Sequence, residues 1–328
     1  MLHAETAANP DRMRHALAGL ARYQQAERAP PPAPMPAIAV AEGAALRDYG
    51  GAGPPVLFVP SLINPPTVLD LGERSLLRWL ATRGHRVLLL DWGWPDAERS
   101  TLSVAGHVER ILLPLMERLG EPADLVGYCL GGTMAAAAAR PGGARGLATI
   151  AAPWHFNGFN EESRAALGRL WDQSRAVVDA LGVLPMEVLQ SAFWNLDPAR
   201  TVAKFEAFAD MGDDEAAAFV ALEDWANDGP PLPQAAARET MEDLFGADLT
   251  GAGAWRVAGD AVDPARIAAP MLHMVSTTDR IVPHASAFRA GERLDLALGH
   301  VGMVVGSRGR DALWTPLAAW LSRTAAKC

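Results

Sequence analysis

The stretch VGYCLGGTMAAAAA, Val126–Ala139, decides how the rest of the chain is read. An apolar run, LVGY, ends at Cys129 between Gly127 and Gly131, and an alanine-rich helical run follows at once. G-x-C-x-G between a strand and a helix is the pattern of a turn that lifts a nucleophile to its apex. Such a turn is strained, and a side chain at either flanking position would strike the neighbouring strand or helix. A helix N-terminus also favours negative charge on the group placed there. The N–H of Leu130 is then one candidate donor to a reaction oxyanion, and the loop after VLFVP supplies the other, at Leu62 or Ile63. A lone cysteine packed as a small hydrophobe is the competing reading of Cys129, so its partners decide between the two.

Moving outward, short apolar runs alternate with helical patterns. PPVLFVP (Pro54–Pro60), HRVLLLDWG (His85–Gly93), ADLVGYC (Ala123–Cys129) and GLATIAAP (Gly146–Pro153) read as buried strands. Between them, Gly72–Gly84, Ser103–Gly120 and the run after Cys129 read as helices. After Pro153 the chain becomes mostly helical and rich in Trp and Phe, with no strand, up to about Asp263. Alternation resumes at APMLHMVSTTD (Ala269–Asp279), with a weak strand at Arg293–Leu298 and a closing helix over Ala312–Arg323. Continuous apolar strands separated by amphipathic helices predict a parallel sheet covered on both faces. A helical insertion between two sheet-forming blocks is the layout of an α/β-hydrolase with a cap. The expected division is a polar N-terminal helix and the proline-rich spacer APPPAPMP over 1–36, a core over 37–152 and 264–328, and a cap over 153–263.

In that layout the acid and then the histidine follow the nucleophile in the chain. Asp279 lies just past the late strand HMVST, where the acid is expected. Only His284 and His300 follow it, and His300 sits straight after a strand beside Gly299, on a loop able to reach the turn. Cys129, Asp279 and His300 are therefore the candidate nucleophile, acid and base. His284 reads as polar surface and His273 as a core residue. Asp91 ends a strand but precedes the nucleophile, so it reads as a loop brace. The aromatic residues of the insertion read as its core. His85, His107 and His155 show no metal-ligand spacing, and Gly127, Gly131 and Gly132 do not make a dinucleotide or phosphate fingerprint. Neither a metal nor a cofactor is expected.

Composition narrows the partners. The 328 residues carry a net charge of −9 with no long basic run, which argues against nucleic acid. No apolar run reaches the ~18–20 residues that span a bilayer, and the start lacks the apolar core of a signal peptide. The two cysteines, Cys129 and Cys328, do not make a disulfide framework, so a cytoplasmic setting is expected.

At this point the chain resembles the polyhydroxyalkanoate synthases, the cysteine branch of the α/β-hydrolases, and most closely their short, two-component type. The resemblance rests on VPSLINPPTVLDLGERSLLRWLATRGHRVLLLDWGWP, LVGYCLGGTMA, APWHF, FVALEDWANDGPPLP with AAARETMEDLF, RIAAPMLHMVSTTDRIVP and LGHVGMV. The insertion segment LEDWANDG is the specific part, because generic hydrolases share only the turn. The resemblance implies Cys129 as nucleophile, Asp279 as acid and His300 as base, acting on a 3-hydroxyacyl-CoA. It also implies a homodimer or a second synthase subunit, and a polymer granule, as partners. Three departures stand out: Arg280 where a histidine commonly follows the acid, a GMVVGSRGRDALW tail after the base, and His155 where an aspartate is common. A cysteine-nucleophile thioesterase, esterase or intracellular polyester depolymerase would use the same three residues. A non-catalytic relative that binds granules or a synthase subunit is the third reading.

Overall fold

In the computed structural model, which describes residues 1–28, 32–140 and 143–326, each apolar run named above forms a strand of one eight-stranded sheet. Part of the proline-rich spacer and Cys328 lie outside the described residues. The strands are β1 (Ala37–Ala41), β2 (Ala44–Asp48), β3 (Pro55–Val59), β4 (Arg86–Asp91), β5 (Ala123–Tyr128), β6 (Ala144–Ile150), β7 (Met271–Ser276) and β8 (Glu292–Leu296). Their spatial order is β1-β2-β4-β3-β5-β6-β7-β8. β2 runs antiparallel to both its neighbours, and all other pairs are parallel. This is the α/β-hydrolase arrangement.

The unbroken apolar runs follow from burial on two faces. Along β3, Leu57 and Val59 enter one hydrophobic cluster, whereas Val56 and Phe58 enter the cluster on the other side. A half-buried strand would alternate with polar residues; a strand covered by helices on both faces cannot.

The hairpin β1–β2 has no counterpart in the sequence reading. Its two-residue loop, Glu42–Gly43, has φ of 47° and 75°, and loops left-handed at both positions match the twist of the flanking strands. The strand AIAVA is mostly alanine, which gives little pattern to read.

The helices used below are α1 (Leu2–Thr6), α2 (Pro10–Gln25), α3 (Leu76–Ala81), α4 (104–119, with a wider turn at Val108–Leu112), α5 (Leu130–Ala138), α6 (Glu161–Leu181), α7 (Met186–Leu196), α8 (Pro198–Phe208), α9 (Asp213–Asn227), α10 (234–246) and α11 (310–325). The stretch between β6 and β7 is mainly helical, but it also holds two tiny ribbons, Val183–Leu184 with Leu232–Pro233 and Arg256–Val257 with Asp260–Ala261. Two-residue strands fall below any periodicity in the sequence.

The N-terminal helix is docked rather than free. α2 lies so close to α8 that a Cβ on Gly19 would stand 1.8 Å from Phe205 O. Arg22 donates to Phe208 O at 2.7 Å, and Tyr23 Oη donates to Asp224 Oδ1 at 2.5 Å. Arg28 pairs with the same carboxylate at 3.1 Å. By packing, α2 thus goes with the insertion.

Candidate active site

β5 delivers Cys129 to the C-terminal edge of the sheet, where the chain turns into α5. Cys129 adopts φ 54°, ψ −131°, a left-handed conformation that L-residues avoid without support. The support is visible on both sides. Cys129 N donates to Ile150 O at 2.9 Å, and Gly132 N donates to Cys129 O at 2.9 Å. A Cβ on Gly127 would lie 2.3 Å from Gly132 Cα. One on Gly131 would lie 2.1 Å from Val59 O and 2.5 Å from Pro60 O. Those glycines let the first turn of α5 rest directly on the backbone that leaves β3.

Asp279 and His300 converge from the loops after β7 and β8. His300 Nδ1 and Asp279 Oδ2 are 2.5 Å apart, and the carboxylate is fully buried. The other oxygen, Oδ1, accepts from Ile281 N at 2.7 Å and Val282 N at 3.0 Å. Both carboxylate oxygens are therefore committed, which fixes the imidazole with Nε2 as its remaining nitrogen. Burial opposes charge on His300, but the Asp279 carboxylate and the Cys129 sulfur outweigh it and carry the pKa up to about 10. Tyr128 packs against His300 with ring centroids 5.2 Å apart and planes tilted by 38°, and burial, with the Cys129 and Asp279 charges, pushes its hydroxyl well above the usual range. Asp279 and His300 thus meet as the sequence predicts, and Cys129, partly buried, lies near enough to His300 to act on its charge.

The two backbone donors also fall at this edge. Leu130 opens α5, and neither its N–H nor that of Leu62 has an acceptor among the described residues. Ile63 N, the alternative, donates to Ser61 Oγ at 3.0 Å, which leaves Leu62 as the open donor.

The remaining candidates fall away from this constellation. His284 is exposed in a short turn. His273 is buried, bonded to Thr149 and Ala290 O, and stacked on Phe288, and burial lowers its pKa to about 4. His107 is likewise enclosed, with its pKa lowered to about 4 by burial. Asp91 pairs with Arg47 and accepts from Gly93 N, bracing a loop. Among the described residues no cluster of His, Cys, Asp or Glu could hold a metal ion, and no helix is long and apolar enough to cross a membrane.

Two features of the site escaped the sequence reading. The aromatic residues of the insertion are not simply its core: Trp225 donates Nε1–H to Pro65 O at 2.8 Å, and Trp194 is exposed. Leu222 and Trp225 of α9 pack against the same apolar cluster as Cys129 and Val301, so the insertion shares the core on that face of the sheet. Arg280, the departure beside the acid, forms an ion pair with Asp197 at the start of α8 and so ties the acid loop to the insertion.

No family model matches the chain. In sequence it is 29% identical over 291 residues to the poly(3-hydroxyalkanoate) polymerase subunit PhaC of Haloferax mediterranei, an alignment covering 82% of this chain and 58% of that one. It is 28% identical over 291 residues to PhaC of Allochromatium vinosum, covering 82% and 80%. The PhaC of Synechocystis is 28% identical over 292 residues, covering 82% and 77%. The chain spans about three fifths of the length of the Haloferax and Haloarcula relatives, at 58% and 60%. Among solved structures, the monoacylglycerol lipase of Paleococcus ferrophilus superposes with a TM-score of 0.54 at 17% identity, covering 86% of this chain and 99% of that one. A putative non-heme bromoperoxidase of Mycobacterium tuberculosis gives 0.55 at 17% identity, covering 86% and 96%. These structural neighbours share the fold. The sequence relatives are polyhydroxyalkanoate polymerase subunits, and the resemblance to that family runs through most of the chain.

Proposed function

We propose that the chain is an acyltransferase that takes 3-hydroxyacyl groups from CoA thioesters through a thioester on Cys129. One observation carries the reading: a cysteine held at a left-handed strand-to-helix turn, with His300 beside it and Asp279 locked to His300 Nδ1 at 2.5 Å. Similarity to polymerase subunits supports acyl transfer as the outcome.

In the first half-reaction the proton of Cys129 rests on His300 Nε2, a partition that the raised His300 pKa favours, and the sulfur attacks the thioester carbonyl as thiolate. The N–H groups of Leu130 and Leu62 receive the oxyanion, each such donor being worth ~2.7–4 kcal/mol. Collapse expels the CoA thiolate, which takes the proton from His300. In the second half-reaction His300 accepts the proton of the hydroxyl of another acyl unit, and that oxygen attacks the Cys129 thioester. The sulfur leaves as thiolate beside the imidazolium, and the cycle closes. Sulfur suits this chemistry because exchange between thioesters is nearly isoenergetic. In this reading the helices of the insertion keep water from the thioester, since hydrolysis would end chain growth. A second copy of the chain or a second synthase subunit is the partner this reading implies.

The test is incubation with 3-hydroxybutyryl-CoA while CoA and products are followed. Polymer or oligomer supports transfer; free hydroxy acid assigns the same three residues to a hydrolase. Cys129→Ala should abolish CoA release, and a variant that keeps turnover would remove the nucleophile from the scheme.

A further inference from the structure

The loop after β3 is gripped at both ends by an indole. Pro60 O accepts Trp92 Nε1–H at 3.0 Å, and Pro65 O accepts Trp225 Nε1–H at 2.8 Å. Between them lie Ser61 to Asn64, including Leu62. Among the described residues, none of 61–65 donates a backbone N–H to a backbone carbonyl, so the sheet ladder does not hold this segment. Side chains do. Asn64 sits at φ 63°, and its amide donates to Ala226 O at 3.1 Å and Asp228 O at 3.3 Å, with Trp225 O at 3.5 Å. Gly229 completes the contact, since a Cβ there would stand 3.2 Å from both Asn64 Cα and Pro65 Cδ. The carbonyls in question end α9, which is itself fixed: Asn227 Oδ1 accepts from Gln190 at 2.8 Å, and Glu223 pairs with Lys204 at 2.6 Å.

We propose that Trp225 and Asn64 are positioning residues that hold loop 61–65 so that the Leu62 N–H faces the acyl oxyanion. The oxyanion hole is then complete only while the end of α9 is seated on the loop. This inference rests on the acyl-enzyme reading of Cys129. A tryptophan that only filled the apolar cluster could give its N–H to any acceptor within reach. Instead the N–H and the Asn64 amide cross the same seam in opposite directions, and both are directional. A donor displaced by an ångström loses most of its value in a transition state, whereas ground-state binding barely registers the change.

The test uses the full chain with Trp225→Phe, which keeps the ring and removes the N–H, and Asn64→Gly, which keeps the left-handed backbone accessible and removes the amide. p-Nitrophenyl acetate serves as the acyl donor, because an oxyanion hole serves any ester regardless of the natural substrate. Acylation of Cys129 should slow by about tenfold to a hundredfold, with KM nearly unchanged. Alkylation of Cys129 by iodoacetamide, which forms no oxyanion, should keep its rate and pH profile. Amide hydrogen exchange should rise at Ile63, whose N–H has its acceptor within the loop. Unchanged acylation, or alkylation falling in step with acylation, would overturn the proposal. Wild-type protein that acylates with p-nitrophenyl acetate but releases no CoA from 3-hydroxybutyryl-CoA would instead sink the substrate reading and leave the positioning result to stand on its own.

Discussion

Replacing Asp279 with asparagine should disable the base while leaving the fold intact, for a reason visible in the hydrogen bonds. Oδ1 accepts from the N–H groups of Ile281 and Val282, so in Asp279→Asn the amide oxygen must stay there. The NH2 group then faces His300 Nδ1, and donor meets donor unless the imidazole moves its proton to Nε2. That tautomer places N–H, not a lone pair, toward Cys129, so the imidazole has no site left for the Cys129 proton. The electrostatic loss is large as well. His300 stands at about 10 against an ordinary 6.5, with Asp279 the larger of the two charges that raise it against burial. At about 1.36 kcal/mol per pKa unit, that interval is several kcal/mol. The variant should lose acylation by about 10³- to 10⁴-fold, by analogy with the same change in the serine triad. The His300 pKa, followed by NMR of its ring protons, should fall by at least ~2 units. The sign for stability follows from proton counting. Between pH 6.5 and about 10 the folded wild type keeps the His300 proton that the unfolded chain has released. Its contribution is therefore complete below 6.5 and is lost as pH rises toward about 10, a slope the variant should lack. A variant that acylates within tenfold of wild type, or whose His300 still titrates near 10, would refute the reasoning.

Other substitutions probe the surroundings. Gly131→Ala places a methyl 2.1 Å from Val59 O, a backbone atom with nowhere to go, so urea denaturation should show a loss of ~1–3 kcal/mol or more; wild-type stability would mean that the turn and β3 are not in contact. His284→Gln, at an exposed turn, should change acylation by no more than about twofold, and a loss matching His300→Gln would reassign the base. Gly19→Ala meets Phe205 O at 1.8 Å and should undock α2, which limited proteolysis would report as new cleavage before Ala26; an unchanged digest would place α2 away from α8.

The centre of the sheet was legible because β3, β4, β5, β6 and β7 are buried on both faces. That burial demands the continuous runs seen in PVLFV, VLLL and LVGY, and the turn glycines mark where backbone meets backbone. The meeting of Asp279 with His300 was legible through chain order. The hairpin β1–β2 was not, because an alanine strand buries too little to leave a pattern and its turn signal is only Glu42–Gly43. The docking of α2 was hidden for a related reason. Its contact with α8 rests on the absence of a side chain at Gly19 and on carbonyl acceptors at Phe208 and Ala209, neither of which has a period.

The second oxyanion donor shows where a linear reading stops. From the sequence, Leu62 was the candidate and Ile63 the alternative, since both follow VLFVP. What separates them is a hydroxyl: Ser61 Oγ takes the Ile63 N–H at 3.0 Å and leaves that of Leu62 open. Only a Ser two residues earlier hints at this, through the local turns that serines make. Holding that turn in place depends on Trp225, which is 163 residues from Leu62 in the chain (225 − 62), and on the amide of Asn64 reaching back to the same helix end. The segment LEDWANDG read as a signature without a task. In the structure its tryptophan and the carbonyls that follow it meet a loop that the sheet does not fix.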